Sequence, residues 1–224
     1  MRIRSFALFA SLSPFAALSA QKAQSHSADV SIALRVSTLG FGGEVSKLMM
    51  PHAGLRVGAN FYSMNRNFNQ SDITFDAKLK LQAIEGLVDL YPGARGLFHL
   101  TGGVITNPAS VTGTGVPSGS TFDINDQTYP SSQVGTLNAT TEWPSVLPYV
   151  GLGFGTPAAS KKAVRLLLDI GAAIGKAKVG LKSSTGANNA TLQADLNAQV
   201  KKAQDNVNKI PVYPVVSFGL AFRF

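Results

Sequence analysis

The strongest constraint on how this 224-residue chain folds is a two-residue hydrophobic period that runs to its last residue. From Val216 every second residue is large and apolar (Val216, Phe218, Leu220, Phe222, Phe224), and those between are small or charged (Ser217, Gly219, Ala221, Arg223). In an extended strand the two sets fall on opposite faces, one apolar and one polar. A soluble domain usually frays into polar residues at its end, whereas this chain ends on Phe224. An apolar outer face with an aromatic end fits a strand of a transmembrane β-barrel, whose lipid-facing band is rimmed by aromatic residues. The competing possibility is a core strand of a soluble sandwich.

The other end of the chain favours the membrane. Residues 1–20 have the form of a secretory signal: Arg2 and Arg4 precede an apolar or small run from Phe6 to Ala20, and small residues near 19–23 suit cleavage. The run is short for a membrane helix and contains Pro14, and no later segment approaches the ~18 apolar residues a helical span needs. Residues 21–30 are expected to be a flexible polar segment. With no cysteine, disulfides, thiol chemistry and cysteine–metal sites are excluded. Twenty-two glycines and only 14% charged residues suit short strands and tight turns better than a helical bundle. The formal charge is +8, or +6 without Arg2 and Arg4. In an exported chain that excess points to anionic lipid headgroups. No basic–aromatic cluster suggests nucleic acid.

Alternating runs of barrel-strand length recur along the rest. Leu55, Val57, Ala59 and Phe61 alternate with Arg56, Gly58, Asn60 and Tyr62, and Phe75, Ala77, Leu79 and Leu81 with Asp76, Lys78, Lys80 and Gln82. Near Ile84 the apolar parity changes, which a β-bulge or a strand leaving the membrane would explain. Residues 107–131 form a long polar stretch, with a small hairpin expected around Asn125-Asp126. Residues 191–209 break the pattern: Leu192, Leu196, Val200, Ala203 and Val207 make one stripe on an amphipathic helix, capped by Asn189 or Thr191 and stopped by Pro211. This helix is expected to pack against the barrel mouth, in preference to lying at the membrane interface through Lys201, Lys202 and Lys209.

The expected fold is therefore all-β: an antiparallel transmembrane β-barrel over residues 31–224, of eight strands with ten as the alternative, and one helix before the last strand. The strands are placed at 36–47, 54–64, 74–90, 96–106, 132–142, 147–155, 163–174 and 212–224. This placement carries a conflict. With both termini periplasmic, the short turn at Pro51 faces outward and the long 107–131 stretch inward, reversing the usual arrangement of outer-membrane barrels. A missed strand, at Ile32–Val36 or Ala177–Lys182, is one way out.

If the apolar set faces lipid, the lumen receives Glu44, Arg56, Asp76, Lys78, Lys80, His99, Arg165, Asp169 and Arg223. A narrow barrel filled by paired charges accounts for these better than a solute path does, because an eight-stranded interior is only wide enough for side chains. Signs of catalysis are thin. Among His26, His52 and His99, only His99 lies on a strand with a hydroxyl (Thr101) on its face, which is no triad. The three histidines lack metal-ligand spacing. Gly151, Gly153 and Gly155 alternate along a strand without a following Lys-Ser/Thr, which suits tight packing and not phosphate binding. No catalytic, cofactor or metal residue is expected.

The signal, Pro148-Tyr-Val-Gly-Leu-Gly-Phe-Gly155 and the terminal Phe218-Gly-Leu-Ala-Phe-Arg-Phe224 together resemble the small outer-membrane β-barrels of Gram-negative bacteria, the group holding the OmpA-type and OmpW-type barrels. The last motif is similar to the C-terminal signature by which the barrel-assembly machinery recognises its clients. The resemblance implies an outer-membrane location, contact with lipid and lipopolysaccharide, and no catalytic residue. The expected role is structural or surface interaction. A narrow channel for small or hydrophobic solutes is the alternative, and a lipid A-modifying enzyme the less favoured third.

Overall fold

Alternation becomes pairing along nearly the whole chain. The computed structural model describes residues 30–70, 73–93, 97–117, 119–155 and 163–223, so the expected signal and almost all of segment 21–30 lie outside the described residues, as does Phe224. In chain order the strands are β1 (Val30–Ser37), β2 (Gly40–Met50), β3 (Ala53–Gln70), β4 (Ile73–Leu90), β5 (Phe98–Thr106), β6 (Ser110–Pro117), β7 (Thr121–Ile124), β8 (Gln127–Pro130), β9 (Leu137–Glu142), β10 (Val146–Phe154), β11 (Val164–Ile174), β12 (Lys178–Ser183) and β13 (Val212–Arg223). The α-helices are α1 (Ser131–Val134) and α2 (Ala190–Val207), and a 3-10 turn at Gly186–Asn188 precedes α2. No described helix is long and apolar enough to cross a membrane.

Eight strands close into a ring, in the order β1, β2, β3, β4, β5, β10, β11, β13 and back to β1. The seam joins the first strand to the last, from Ser31 opposite Arg223 to Ser37 opposite Ser217. A closed antiparallel ring leaves no strand edge unpaired, which a lipid environment demands. The outer face carries the apolar set, with Leu34, Val57, Phe61, Val88, Leu166, Ile170 and Phe218 all exposed. Aromatic pairs mark both rims: Phe98 and Phe154 stand 5.7 Å apart at one, Phe41 and Tyr62 5.9 Å apart at the other.

The count of eight holds, with a different membership. β1 is the missed strand: the run placed at 36–47 is split by a turn at Thr38–Leu39 into β1 and β2. The turn is possible because Gly40, at φ 110°, packs where any Cβ would strike the backbone of Phe61. In exchange, 132–142 is no barrel strand; it contains α1 and β9, and β9 pairs with β6 and β12 outside the ring. This removes the orientation conflict. Val30 and Arg223 share one rim with the 51–52 turn and with the strand ends at Leu90, Phe98, Phe154 and Val164, while the strand ends at Thr106, Val146, Ile174 and Val212 lie at the opposite rim.

The parity change in β4 has an equally simple cause. β3 and β4 pair without a register break from Ala53 opposite Leu90 to Gln70 opposite Ile73, so there is no bulge. The strands run out beyond the ring, where β4 leaves β5 and pairs with β6, extending the sheet through β9 to β12. Below that point the outer positions face lipid and are apolar (Ile84, Val88, Leu90); above it they face water and are polar (Asp76, Lys78, Lys80).

Segment 107–131, expected as a long polar loop, holds β6 and the hairpin β7–β8. Its two-residue turn is Asn125-Asp126, with φ 51° and 63°, the left-handed pair that a tight hairpin requires. Asn189 caps α2 by accepting from the Leu192 amide at 3.1 Å. Leu192 and Leu196 then bury against Phe122, Ile124, Tyr129 and Val134. The helix therefore packs on the hairpin, α1 and β12, whose Val179 amide donates to Gln204 Oε1 at 2.9 Å, and only the first half of its stripe is fully buried.

Candidate functional site

The lumen is the place where this fold concentrates chemistry. Because side chains alternate, each ring strand sends every second residue inward. On the side of the long connections these are apolar: Leu39, Ala83, Ile105, Leu147, Tyr149, Ala173 and Val215 form a buried cluster, with Trp143 and Tyr213 against it in an edge contact of 5.3 Å. Toward the other rim the inward residues are charged. Arg35, Glu44, Arg56, Glu85, Asp89, His99, Arg165 and Asp169 are each less than a tenth exposed.

Asp169 lies at the centre of the charged layer. Its Oδ2 sits 2.6 Å from Arg35 Nη1, and its Oδ1 lies 3.2 Å from Arg56 Nη2 and 3.1 Å from His99 Nε2. Glu44 Oε2 is ion-paired with Arg35, whose Nε lies 2.9 Å away, and with Arg56 Nη1 at 3.4 Å. Asp89 Oδ2 is ion-paired with Arg56, whose Nε lies 2.9 Å away, and Asp89 Oδ1 accepts from the Thr101 hydroxyl at 2.8 Å. Arg35 also donates to Ser217 Oγ at 2.9 Å, and Asn60 Nδ2 donates to Glu85. These contacts join β1, β2, β3, β4, β5, β11 and β13 across the lumen. Mutual pairing is what makes so many buried charges tolerable.

Glycines create the room. A Cβ at Gly153 would overlap the His99 ring, and one at Gly171 would overlap the Tyr149 hydroxyl. The space left among Arg35, Glu44, Arg56, Asp89, His99 and Arg165 is about 20 Å³, room for about one water.

Five of the nine residues expected in the lumen are there: Glu44, Arg56, His99, Arg165 and Asp169. Arg223 is half-buried near the rim. Asp76, Lys78 and Lys80 are corrected: they stand exposed on the outer face of the extension, because β4 keeps its parity while its surroundings change from lipid to water. Arg35, Glu85 and Asp89 were missed. Arg35 alternates with Ile32, Leu34 and Val36, a signal legible once that stretch is taken as a strand, and Glu85 and Asp89 alternate with Ile84 and Val88. Among the histidines, His26 lies outside the described residues, and His52 Nδ1 ties one turn to the carbonyl of Tyr91 at 2.9 Å. His99 meets carboxylates, and its neighbour Thr101 donates to Asp89 and not to the imidazole, so no hydroxyl–imidazole relay is formed. No cluster suited to a metal occurs among the described residues.

A closed antiparallel ring with an apolar outer band and a charged layer inside it defines the chain as a transmembrane β-barrel. Solved structures sharing the fold include CarO2 of Acinetobacter baumannii, with a TM-score of 0.58 and 19% identity over 87% of this chain and 98% of that one. CarO of the same organism gives a TM-score of 0.57 and 20% identity over 87% and 97%. At these identities the likeness is one of fold; it does not distinguish OmpA-type from OmpW-type barrels. No protein-family model matches the sequence, and no curated protein matches it.

Proposed function

We propose that the protein is an integral outer-membrane barrel with a structural or surface-interaction role, and that its lumen is closed to solutes. The observation that carries the closed lumen is the charged layer across the ring, where the pocket among Arg35, Glu44, Arg56, Asp89, His99 and Arg165 holds only about 20 Å³. The apolar cluster of Leu39, Ile105, Leu147 and Tyr149 adds a second obstruction above it. The outer-membrane location is supported by the lipid-facing band and by the shared rim of Val30, Arg223 and the strand ends that short connections join, which would be periplasmic. The long segments 107–145 and 175–211 then face outward as an interaction surface. The pattern of β13 supports recognition by the barrel-assembly machinery, and no residue is assigned a catalytic or cofactor role. Planar-bilayer recording tests the closed lumen: the purified protein should give no discrete openings, and unitary conductance steps would establish a channel instead. Fractionation tests the location, with recovery from the soluble periplasm overturning it.

A further inference from the structure

The sheet branches where β4 passes from one partner to another, and the branch opens a cleft. β4 pairs with β5 up to Ile84 opposite Thr106, and with β6 from Lys80 opposite Ser110. Between them Gln82 has a cross-strand partner on the β3 side alone, Phe61. β5 ends because Asn107 turns the chain with φ 43°, a conformation asparagine tolerates. The last rung is made by a side chain, the Ile84 amide donating to Thr106 Oγ1 at 3.2 Å. Since hydrogen-bonding direction alternates along a strand, the N–H and C=O of Gln82 point the same way as those of Ile84, into the gap. The resulting cleft has a volume of about 480 Å³, with walls that include Lys80, Gln82, Ile84, Ser110, Glu142 and Trp143.

Its height in the membrane follows from its own lining. Ile84 is exposed on the lipid-facing band, and two residues along the same face Gln82 begins the water-facing set that continues with Lys80. The cleft thus spans the level at which lipid headgroups lie. Lys80 makes no ion pair among the described residues, so its ammonium is available. Lys80, Ser110, Glu142 and Lys178 are successive cross-strand partners, which puts them in one row on one face. Lys80 and Glu142 are two strand spacings apart, about 10 Å. Lys78, Lys178 and Lys182 add positive charge to this face against Asp76 and Glu142, which favours an anionic ligand.

We infer that this cleft binds the phosphorylated sugar headgroup of an outer-leaflet glycolipid. The phosphate lies between the Lys80 ammonium and the Gln82 backbone N–H, both donors suited to an anion. Sugar hydroxyls donate to the Glu142 carboxylate. The apolar face of the ring rests on the Trp143 indole, and the acyl chains continue down past Ile84. A simple anionic phospholipid shares the phosphate and acyl-chain contacts but has no sugar ring to rest on the indole. The inference rests on the outer-membrane reading above.

The test uses the full protein extracted from membranes in detergent and native mass spectrometry with three probes: bisphosphorylated lipid A, lipid A stripped of phosphate, and phosphatidylglycerol. Lipid A should bind one per barrel and more tightly than phosphatidylglycerol. Lys80→Ala should weaken it about tenfold, the loss of one charge-assisted contact, while Lys209→Ala leaves it unchanged. Dephosphorylated lipid A should bind wild type and Lys80→Ala alike. Equal losses from Lys80→Ala and Lys209→Ala, or phosphatidylglycerol binding as tightly as lipid A, would overturn the site. Lys80 is exposed, and retained heat-dependent mobility on SDS gels checks that the variant folds. Wild type that fractionates with the outer membrane yet binds no lipid A sinks the site alone; soluble periplasmic recovery sinks the membrane reading beneath it.

Discussion

Asp169 shows how a single residue can organise the interior of a narrow barrel. It is 2% exposed and serves Arg35, Arg56 and His99 together. Removing its charge while keeping its shape leaves two buried guanidinium groups short of a counter-charge. Asp169→Asn should therefore destabilise the barrel by about 3–5 kcal/mol, measured by urea unfolding in detergent. Asp76→Asn, on the exposed outer face, should change stability by less than about 1 kcal/mol. Comparable losses in the two variants would mean that the buried network contributes nothing special. At this scale the lumen was half legible. Glu44, Arg56, His99, Arg165 and Asp169 follow from alternation alone, since an apolar neighbour set facing lipid leaves them only the interior. The partners of each charge were not legible, because contacts such as Arg35 with Asp169 join residues far apart in sequence, and only the closed ring brings them together.

Among the elements, β4 and α2 explain where local patterns succeed and fail. The alternation of Phe75 to Leu81 is real, yet its apolar side faces inward, opposite to that of Ile84 to Leu90. Periodicity reports which residues share a face and says nothing of the medium outside that face. For α2 the stripe, the Asn189 cap and the stop at Pro211 are all local, and the helix starts within one residue of its expected position. What the sequence did not reveal was its partners, β12 and the β7–β8 hairpin. At the hairpin Asp195 accepts a hydrogen bond from the Tyr129 hydroxyl and another from Asn125 Nδ2 at 3.0 Å, which hold its carboxyl below the usual carboxylate range. Both bonds favour the ionised form. Their contribution is complete above the unfolded carboxyl's pKa of about 4 and is lost as pH falls through the lower folded value. Hydrogen exchange of the β7 and β8 amides, corrected for intrinsic rates, should quicken on acidification below that range. In Asp195→Asn this added acid sensitivity should disappear.

For the whole molecule, orientation is the property on which the proposed roles depend. The rim carrying Val30, Arg223 and the Pro51–His52 turn is assigned inward, and the hairpin turn at Asn125-Asp126 outward. Because the chain has no cysteine, each introduced thiol is unique. Asp126→Cys should react with a membrane-impermeant maleimide on intact cells, and His52→Cys only after permeabilisation. The reverse pattern would invert the topology and move the cleft at Lys80 to the inner leaflet.

The unbroken pairing of β3 with β4, from Ala53 opposite Leu90 to Gln70 opposite Ile73, also bears on which genetic changes the protein can survive. Substitutions along β4 act one site at a time, but a length change acts on a reading frame of faces. One residue inserted after Gln82 would exchange the two sides of everything between the insertion and the next turn. Glu85 and Asp89 would be turned toward lipid and Val88 toward the charged layer. A scan of single-residue insertions and deletions should therefore find residues 83–90 intolerant, with loss of the folded band on unboiled gels. Two-residue insertions at the same points should be less damaging because they restore the frame, and insertions at the Asn125-Asp126 turn should be accepted.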